Sequence, residues 1–364
     1  MNNRVVGFEA PAEPLRIHEL ALPDLAEDEA HVRVVAAGVC GSDVHRLAGD
    51  LGKPEQPLTL GHEGIGTIES LGRAFRSDSV GTPLRPGDRV YWSTMSACFR
   101  CEACVVRNEP ILCSSYDWPV PVGRASPAAF QTVATLTTRT VCARVPEGVS
   151  SDAVIAFGCA MPTALGALRR AGGVRIGETV VIQGSGPVGL ACTVLAALSP
   201  ASRIIVIGAP TARLGVARDL GATDVVELAG TTAEQRREAV RDLTGGRGAD
   251  LLIEAAGQQA AFAEGLTLLA PAARYVVAGL YSGEGSVPFE PVRLNNANQV
   301  VIGSLGYRPE DLHHTVALAP RIGALHDVDR LVSRRFGLDE TEQAIAAAAT
   351  GVPVKCVVEP GRAD

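Results

Sequence analysis

Four of the nine cysteines of this 364-residue chain stand within sixteen residues, in CFRCEACVVRNEPILC. Cys98, Cys101, Cys104 and Cys113 follow the spacing C-x2-C-x2-C-x8-C, in which four thiolates can close a tetrahedral shell around one zinc ion. A closed shell leaves no position for substrate, so this metal would hold a lobe together and do no chemistry. That reading outweighs a set of buried free thiols or a redox CxxC pair. Chemistry is expected elsewhere. The stretch VRVVAAGVCGSDVHRLAGD carries Cys40, Ser42, Asp43 and His45; PLTLGHEGIGTIESLG carries His62 and Glu63; AFGCAMPTALGAL carries Cys159. Two thiolates and one imidazole form the kind of ligand set that leaves a fourth zinc position open for water or substrate. Taken singly, each cysteine also fits a small core residue, and the histidine a hydrogen-bonded structural side chain. Spacing alone leaves both readings open.

The elements that must position these groups differ along the chain. ETVVIQGSGPVGLACTVLAAL reads as a β-branched strand over 179–183, a glycine turn and a helix. Gly184, Gly186 and Gly189 fit G-x-G-x-x-G, with Pro187 and Val188 opening the helix. Glycines there permit a tight turn and the approach of backbone to a pyrophosphate, which the helix N-terminus attracts. Strand-like runs follow at 203–208, 224–228, 250–256, 274–280 and 299–305, with helix-like segments between them. Continuous apolar strands spaced by helices predict a doubly wound parallel sheet of Rossmann type. The N-terminal part is richer in Pro, Gly and short strands such as HVRVVAAGV and GDRVYWS. Boundaries are expected near 155 and 297: a mostly β domain over 1–155, a dinucleotide-binding domain over 156–297, and a segment over 298–364. That last segment ends the Rossmann sheet and returns to the first domain. A cleft between the lobes is where cofactor and substrate would meet.

Bulk properties narrow the class. Hydrophobic residues are 46% and charged residues 20%, the balance of an ordinary globular protein, and the net charge is −7. No basic footprint for nucleic acid or an anionic membrane is present. No secretory signal or membrane span is legible, so a cytoplasmic location with reduced thiols is expected.

The ordered set GVCGSDVH, GHE, GDRV, the four-cysteine lobe, GCAMPTALGAL and GSGPVG resembles the zinc-dependent medium-chain alcohol dehydrogenase family over essentially the whole chain. The resemblance implies a mostly β, GroES-like catalytic domain beside the Rossmann domain. It implies hydride transfer between an alcohol and NAD(P), giving an aldehyde or ketone, or the reverse, in a homo-oligomer (dimer or tetramer) with two zinc ions per chain. It assigns Cys40, His62 and Cys159 as catalytic zinc ligands, with Glu63 able to approach the metal. Ser42 and His45 fall at the proton relay, Asp43 behind the histidine ligand, and Lys355 at a basic position near the pyrophosphate. Trp92 and Trp118 are candidates for the substrate pocket or the core. Serine at 42, smaller than threonine, leaves room for a secondary alcohol, and a cyclic one is within the same expectation.

Two departures from the family pattern matter. The zinc lobe has eight residues before its last cysteine, where seven are common. The second Rossmann strand ends in Gly208, where NAD-binding folds place an acid on the ribose 2′-hydroxyl. Without that acid nothing repels a 2′-phosphate, and Arg213 could pair with one. Arg213 also falls where the family keeps a basic residue for NAD ribose, so the expectation tips only slightly to NADP. Two other readings are a zinc-free quinone or enoyl reductase on the same fold and a non-enzymatic zinc-binding module. The first has no need of Cys40, His62 and Cys159, and the acidic balance and complete relay oppose the second.

Overall fold

Strand Glu29–Gly38 is the hub of the first structural unit, because its residues are buried on both faces along most of its length. In the computed structural model, which describes residues 2–281 and 285–362, it pairs antiparallel with Glu63–Leu71, Val133–Thr137 and Lys355–Val358. The sheet continues from Glu63–Leu71 to Arg89–Ser96 and Thr140–Arg144, and on the other side from Lys355–Val358 to Val332–Phe336. A smaller sheet joins Arg16–Ala21, Asn2–Phe8 and Leu58–Thr59. Val6, Phe8, Val32, Trp92, Phe130 and Val358 share the core. The last strand thus lies beside a strand some 320 residues earlier, and the chain end completes the sheet on which the site is built.

The second unit is a six-stranded parallel sheet in the order Asp224–Glu227, Arg203–Gly208, Thr179–Gln183, Ala249–Glu254, Leu269–Val277, Val300–Gly303. The first strand of the unit lies at the centre and the order reverses across it, which is the doubly wound arrangement expected from the apolar strands. Val181, Ile205, Leu252 and Tyr275 pack the core. Helix Pro187–Ala197 is buried from Gly189 to Ala196, which explains why its sequence is apolar all round. Helix Ala233–Leu243 opens on a capping box of Thr232 and Gln235.

The units are Met1–Pro162 with Arg308–Asp364, and Thr163–Tyr307. Helix Ser151–Ile155 packs on strands Glu29–Gly38 and Glu63–Leu71 within the first unit. Val300–Gly303 is the sixth strand of the parallel sheet, in the second unit. Among the described residues no helix is long and apolar enough to cross a membrane.

Candidate active site

Three chain reversals in the first unit converge on one point. Strand Glu29–Gly38 ends just before Cys40, which stands at the N-terminus of helix Gly41–Ala48. His62 precedes strand Glu63–Leu71, and Cys159 precedes helix Ala160–Arg170. One ligand atom from each of Cys40, His62, Glu63 and Cys159 lies within 4.8 Å of all the others. The two sulfurs are 3.5 Å apart. Asp43 Oδ1 is 3.6 Å from His62 Nδ1, and Asp43 Oδ2 accepts the Cys40 amide at 2.9 Å. Asp43 therefore turns Nε2 of the imidazole toward the sulfurs, the role of a carboxylate behind a metal-binding histidine.

The electrostatics of this cluster call for a cation. The Cys159 thiol pulls Cys40 well below the ordinary thiol range against the effect of burial, and His62 and Lys355 help. Cys40 in turn pushes Cys159 well above it, together with burial and Glu63. Burial opposes charging of His62, but Asp43 and Cys40 outweigh it and raise its pKa. Both thiols cannot ionise together without further positive charge, and Glu63 Oε1 is buried with no hydrogen-bond partner. Two sulfurs, a nitrogen and an orphaned carboxylate oxygen suit zinc. A Cβ on Gly158 would collide with Glu63 and lie 2.7 Å from Lys355 Nζ, so the backbone must come this close for the cluster to form.

The second cluster is the cysteine lobe. Sulfur atoms of Cys98, Cys101, Cys104 and Cys113 also lie within 4.8 Å of one another. Cys101 caps the short helix Glu102–Val105, and Cys113 follows the 3₁₀ turn Pro110–Leu112, so the eight-residue interval is taken up by these two turns. Backbone amides of Cys101 and Cys98 donate to the sulfurs of Cys98 and Cys113 at 3.3 and 3.2 Å. Amide donors at Cys104 and Ser114 bring Cys101 down to about 6, while burial and the neighbouring sulfurs push Cys104 to about 12. Four sulfurs within this distance suit a closed, structural ion.

In the second unit, Gly184 has φ +108° and Gly186 stands at the N-terminus of helix Pro187–Ala197, with Pro187 in its first turn. A Cβ on Gly189 would strike the Gly184 carbonyl, so the helix can sit this close to the turn only with glycine there. Gly184, Ser185, Gly186, Gly208, Ala209 and Arg213 line one cavity, a cradle suited to a dinucleotide's phosphates and ribose. Gly208 does end its strand, but a Cβ there would lie 2.7 Å from Ser185 Cβ and 3.0 Å from its nitrogen.

The family models agree with this geometry. An alcohol dehydrogenase GroES-like domain matches residues 26–147, and a zinc-binding dehydrogenase domain matches residues 187–321. The 5-exo-hydroxycamphor dehydrogenase of Pseudomonas putida is 38% identical over 94% of both chains. The chain belongs to the zinc-binding medium-chain alcohol dehydrogenases. A sorbitol dehydrogenase of Bombyx mori is 29% identical over 95% of this chain and 96% of its own. The alcohol dehydrogenase of Thermotoga maritima superposes with a TM-score of 0.90 at 30% identity, over 99% of both chains. A zinc-binding dehydrogenase of Sinorhizobium meliloti, bound to NADP, gives 0.86 at 25% identity over 99% of this chain and 100% of its own. Like its relatives, this dehydrogenase is a zinc-dependent oxidoreductase that moves a hydride between a small alcohol or carbonyl substrate and NAD(P).

Within this dehydrogenase Ser42 Oγ lies 3.3 Å from His62 Nε2, at the edge of the first cluster. His45 Nδ1 bonds Asp50 Oδ2 at 2.7 Å. Sequence reasoning missed Asp50, although it stands five residues beyond His45. The Lys355 ammonium is buried, bonds Glu63 and donates to the Val39 carbonyl at 3.2 Å. Strand Lys355–Val358 pairs antiparallel with Glu29–Gly38, and this pairing carries the lysine to Glu63 in the ligand cluster. Trp92 is a core residue, wholly buried, its Nε1 donating to the Pro127 carbonyl at 2.7 Å. Cys142, Cys192 and Cys356 are buried.

Proposed function

We propose that this dehydrogenase carries two zinc ions per chain: a catalytic one held by Cys40, His62 and Cys159 with Glu63 as an alternate ligand, and a structural one held by Cys98, Cys101, Cys104 and Cys113. The observation that carries the catalytic site is the convergence of four ligand atoms within 4.8 Å around a buried carboxylate oxygen with no other partner. When bound, zinc lowers the pKa of an alcohol hydroxyl and NAD(P) takes the hydride from its carbon. The chain's own residues orient the substrate and move the proton. Ser42 Oγ, beside His62 Nε2, takes the hydroxyl proton, and His45, held by Asp50, passes it to solvent. Asp43 keeps the imidazole in the tautomer that presents Nε2. Lys355 offsets the Glu63 charge within the ligand cluster.

The test separates the two ions. Cys159→Ala should lose turnover by about a thousandfold or more, with one zinc per chain and the folded state retained. Cys101→Ala should instead lower thermal stability and retain less than one structural zinc. Equal loss of folding from both variants would undo the division of roles.

The substrate we propose is a secondary alcohol on a ring, oxidised to a ketone. The likeness to 5-exo-hydroxycamphor dehydrogenase and the small Ser42 support this. NADP is favoured slightly over NAD, since Gly208 brings no carboxylate and Arg213 lines the same cavity. A panel of primary, open-chain secondary and cyclic alcohols with both cofactors should give the highest kcat/KM for a cyclic alcohol with NADP. A primary alcohol as best substrate would refute the ring reading. A homo-oligomer is supported by the outer strand Val300–Gly303, which leaves Val300 and Val301 exposed. Free thiols throughout the described residues suit a cytoplasmic compartment.

A further inference from the structure

The cavity beside the glycine turn has a volume of about 440 Å³ and, besides the turn, is lined by Arg236 and Glu264. These two are only 8% and 7% exposed in their side chains. Arg236 comes from helix Ala233–Leu243 and Glu264 from helix Gln259–Leu268. Arg236 Nε donates to Glu264 Oε1 at 2.9 Å and Nη2 to Oε2 at 2.5 Å, while Nη1 donates to the Thr231 carbonyl at 2.6 Å. The side-on fork leaves each carboxylate oxygen a lone pair and Nη2 a second hydrogen. Gln183, at the end of the central strand, lines the same cavity, and its buried Oε1 has no hydrogen-bond partner.

Joining two helices does not require a buried ion pair, because apolar residues of the same volume do it at no desolvation cost. Here the pair stands in the wall of a cavity whose apolar lining is Ile207, Leu228 and several alanines, with Gln258 beside them. Such apolar walls accept the faces of a flat ring, and the polar pair then has the ring's edge to meet.

We infer that Arg236 and Glu264 read the amino-bearing edge of the adenine of NAD(P), making them specificity-determining residues for the cofactor's base. This rests on the glycine turn holding the pyrophosphate. Adenine presents an amino donor beside a ring-nitrogen acceptor. The carboxylate accepts from the first and the guanidinium donates to the second. Hypoxanthine reverses both positions, and a base fixed by its ribose cannot slide to restore the match. A site with buried polar groups rejects a ligand that leaves them unmatched.

The experiment titrates the full-length protein with NADH and with its hypoxanthine analogue, following nicotinamide fluorescence, and repeats the pair with the 2′-phosphorylated forms. The unaltered protein should bind the adenine form about tenfold more tightly. Arg236→Met combined with Glu264→Leu keeps the volume and removes both charges. It should bring the two affinities to within about twofold of each other, the adenine form losing its matched bonds and the hypoxanthine form its mismatch. Equal binding of the two forms by the unaltered protein overturns the inference without recourse to any variant. An unchanged preference in the double variant overturns it too, and makes the pair a helix tie. Failure of both forms to bind at all overturns the glycine-turn reading, and this inference with it.

Discussion

His31 is an imidazole placed where charge is unwelcome. It lies in the hub strand opposite Ser70 and Thr135, it is buried, and its Nε2 has no hydrogen-bond partner. Burial lowers its pKa below the ordinary 6.5, and the carboxylates of Glu29 and Glu69 offset this only in part. In the unfolded chain the same ring takes up a proton near pH 6.5. Between that pH and the lower native value the unfolded state binds more protons, so stability falls as the pH drops through this window and is fully present above it. His31→Gln removes the proton uptake. Its urea midpoint should therefore fall less than that of the unaltered protein between pH 7.5 and pH 5.5. Identical falls in the two proteins would show that His31 titrates as freely when folded as when unfolded.

Strand, turn and helix act together around Gly184–Gly189. The turn works because three backbones come close together, and each approach has its own glycine. Gly189→Ala would drive a methyl into the Gly184 carbonyl, backbone against backbone, where no rotamer change gives relief. Overpacking of this kind costs about 1–3 kcal/mol. We expect Gly189→Ala to lower the denaturation midpoint and weaken NAD and NADP alike, as read by fluorescence titration. Unchanged binding of both would mean that the turn does not carry the phosphates. Gly208 belongs to the same unit. Ser185, whose hydroxyl donates to the Ala209 carbonyl at 2.9 Å, fills the space a side chain at 208 would need. An acid introduced at 208 therefore has to displace Ser185 before it can address a ribose, and charge alone does not decide cofactor choice at this strand end.

At the scale of the whole molecule, the parallel sheet ends in an edge. Among the described residues Val300–Gly303 pairs on one side only, with Leu269–Val277, and Val300, Val301 and nearby Leu305 are exposed at 49%, 37% and 60%. An uncovered apolar edge of this kind invites association, and natural edges that stay free are guarded by charge. Val301→Glu should shift the sedimentation coefficient from that of an oligomer to that of a single chain, with the parallel sheet intact by circular dichroism. An oligomer that persists unchanged would place the interface elsewhere.

What the sequence determined by itself was local chemistry. The four lobe cysteines lie within sixteen residues, so two tight turns suffice to gather them, and their spacing alone marks a candidate metal lobe. The same holds for a β-branched strand running into G-x-G-x-x-G, where turn and helix follow within a few residues. The apolar strands further on were legible because burial on both faces demands a continuous hydrophobic run. Contacts across the sheet were not legible from spacing. Cys40 and Cys159 are 119 positions apart, and only the ends of separate elements bring their sulfurs together; a match to a family pattern had to supply that pairing. Lys355 meets Glu63 across 292 positions because the last strand joins the hub strand in a register that turns the lysine inward. A shift of one residue would turn it outward. Arg236 and Glu264 look like ordinary helix-surface charges in the sequence, and the packing of two helices against one sheet buries them together. Side-chain spacing within one element follows from backbone periodicity, whereas register, sheet order and helix packing are settled by the closing of the whole chain around its cores.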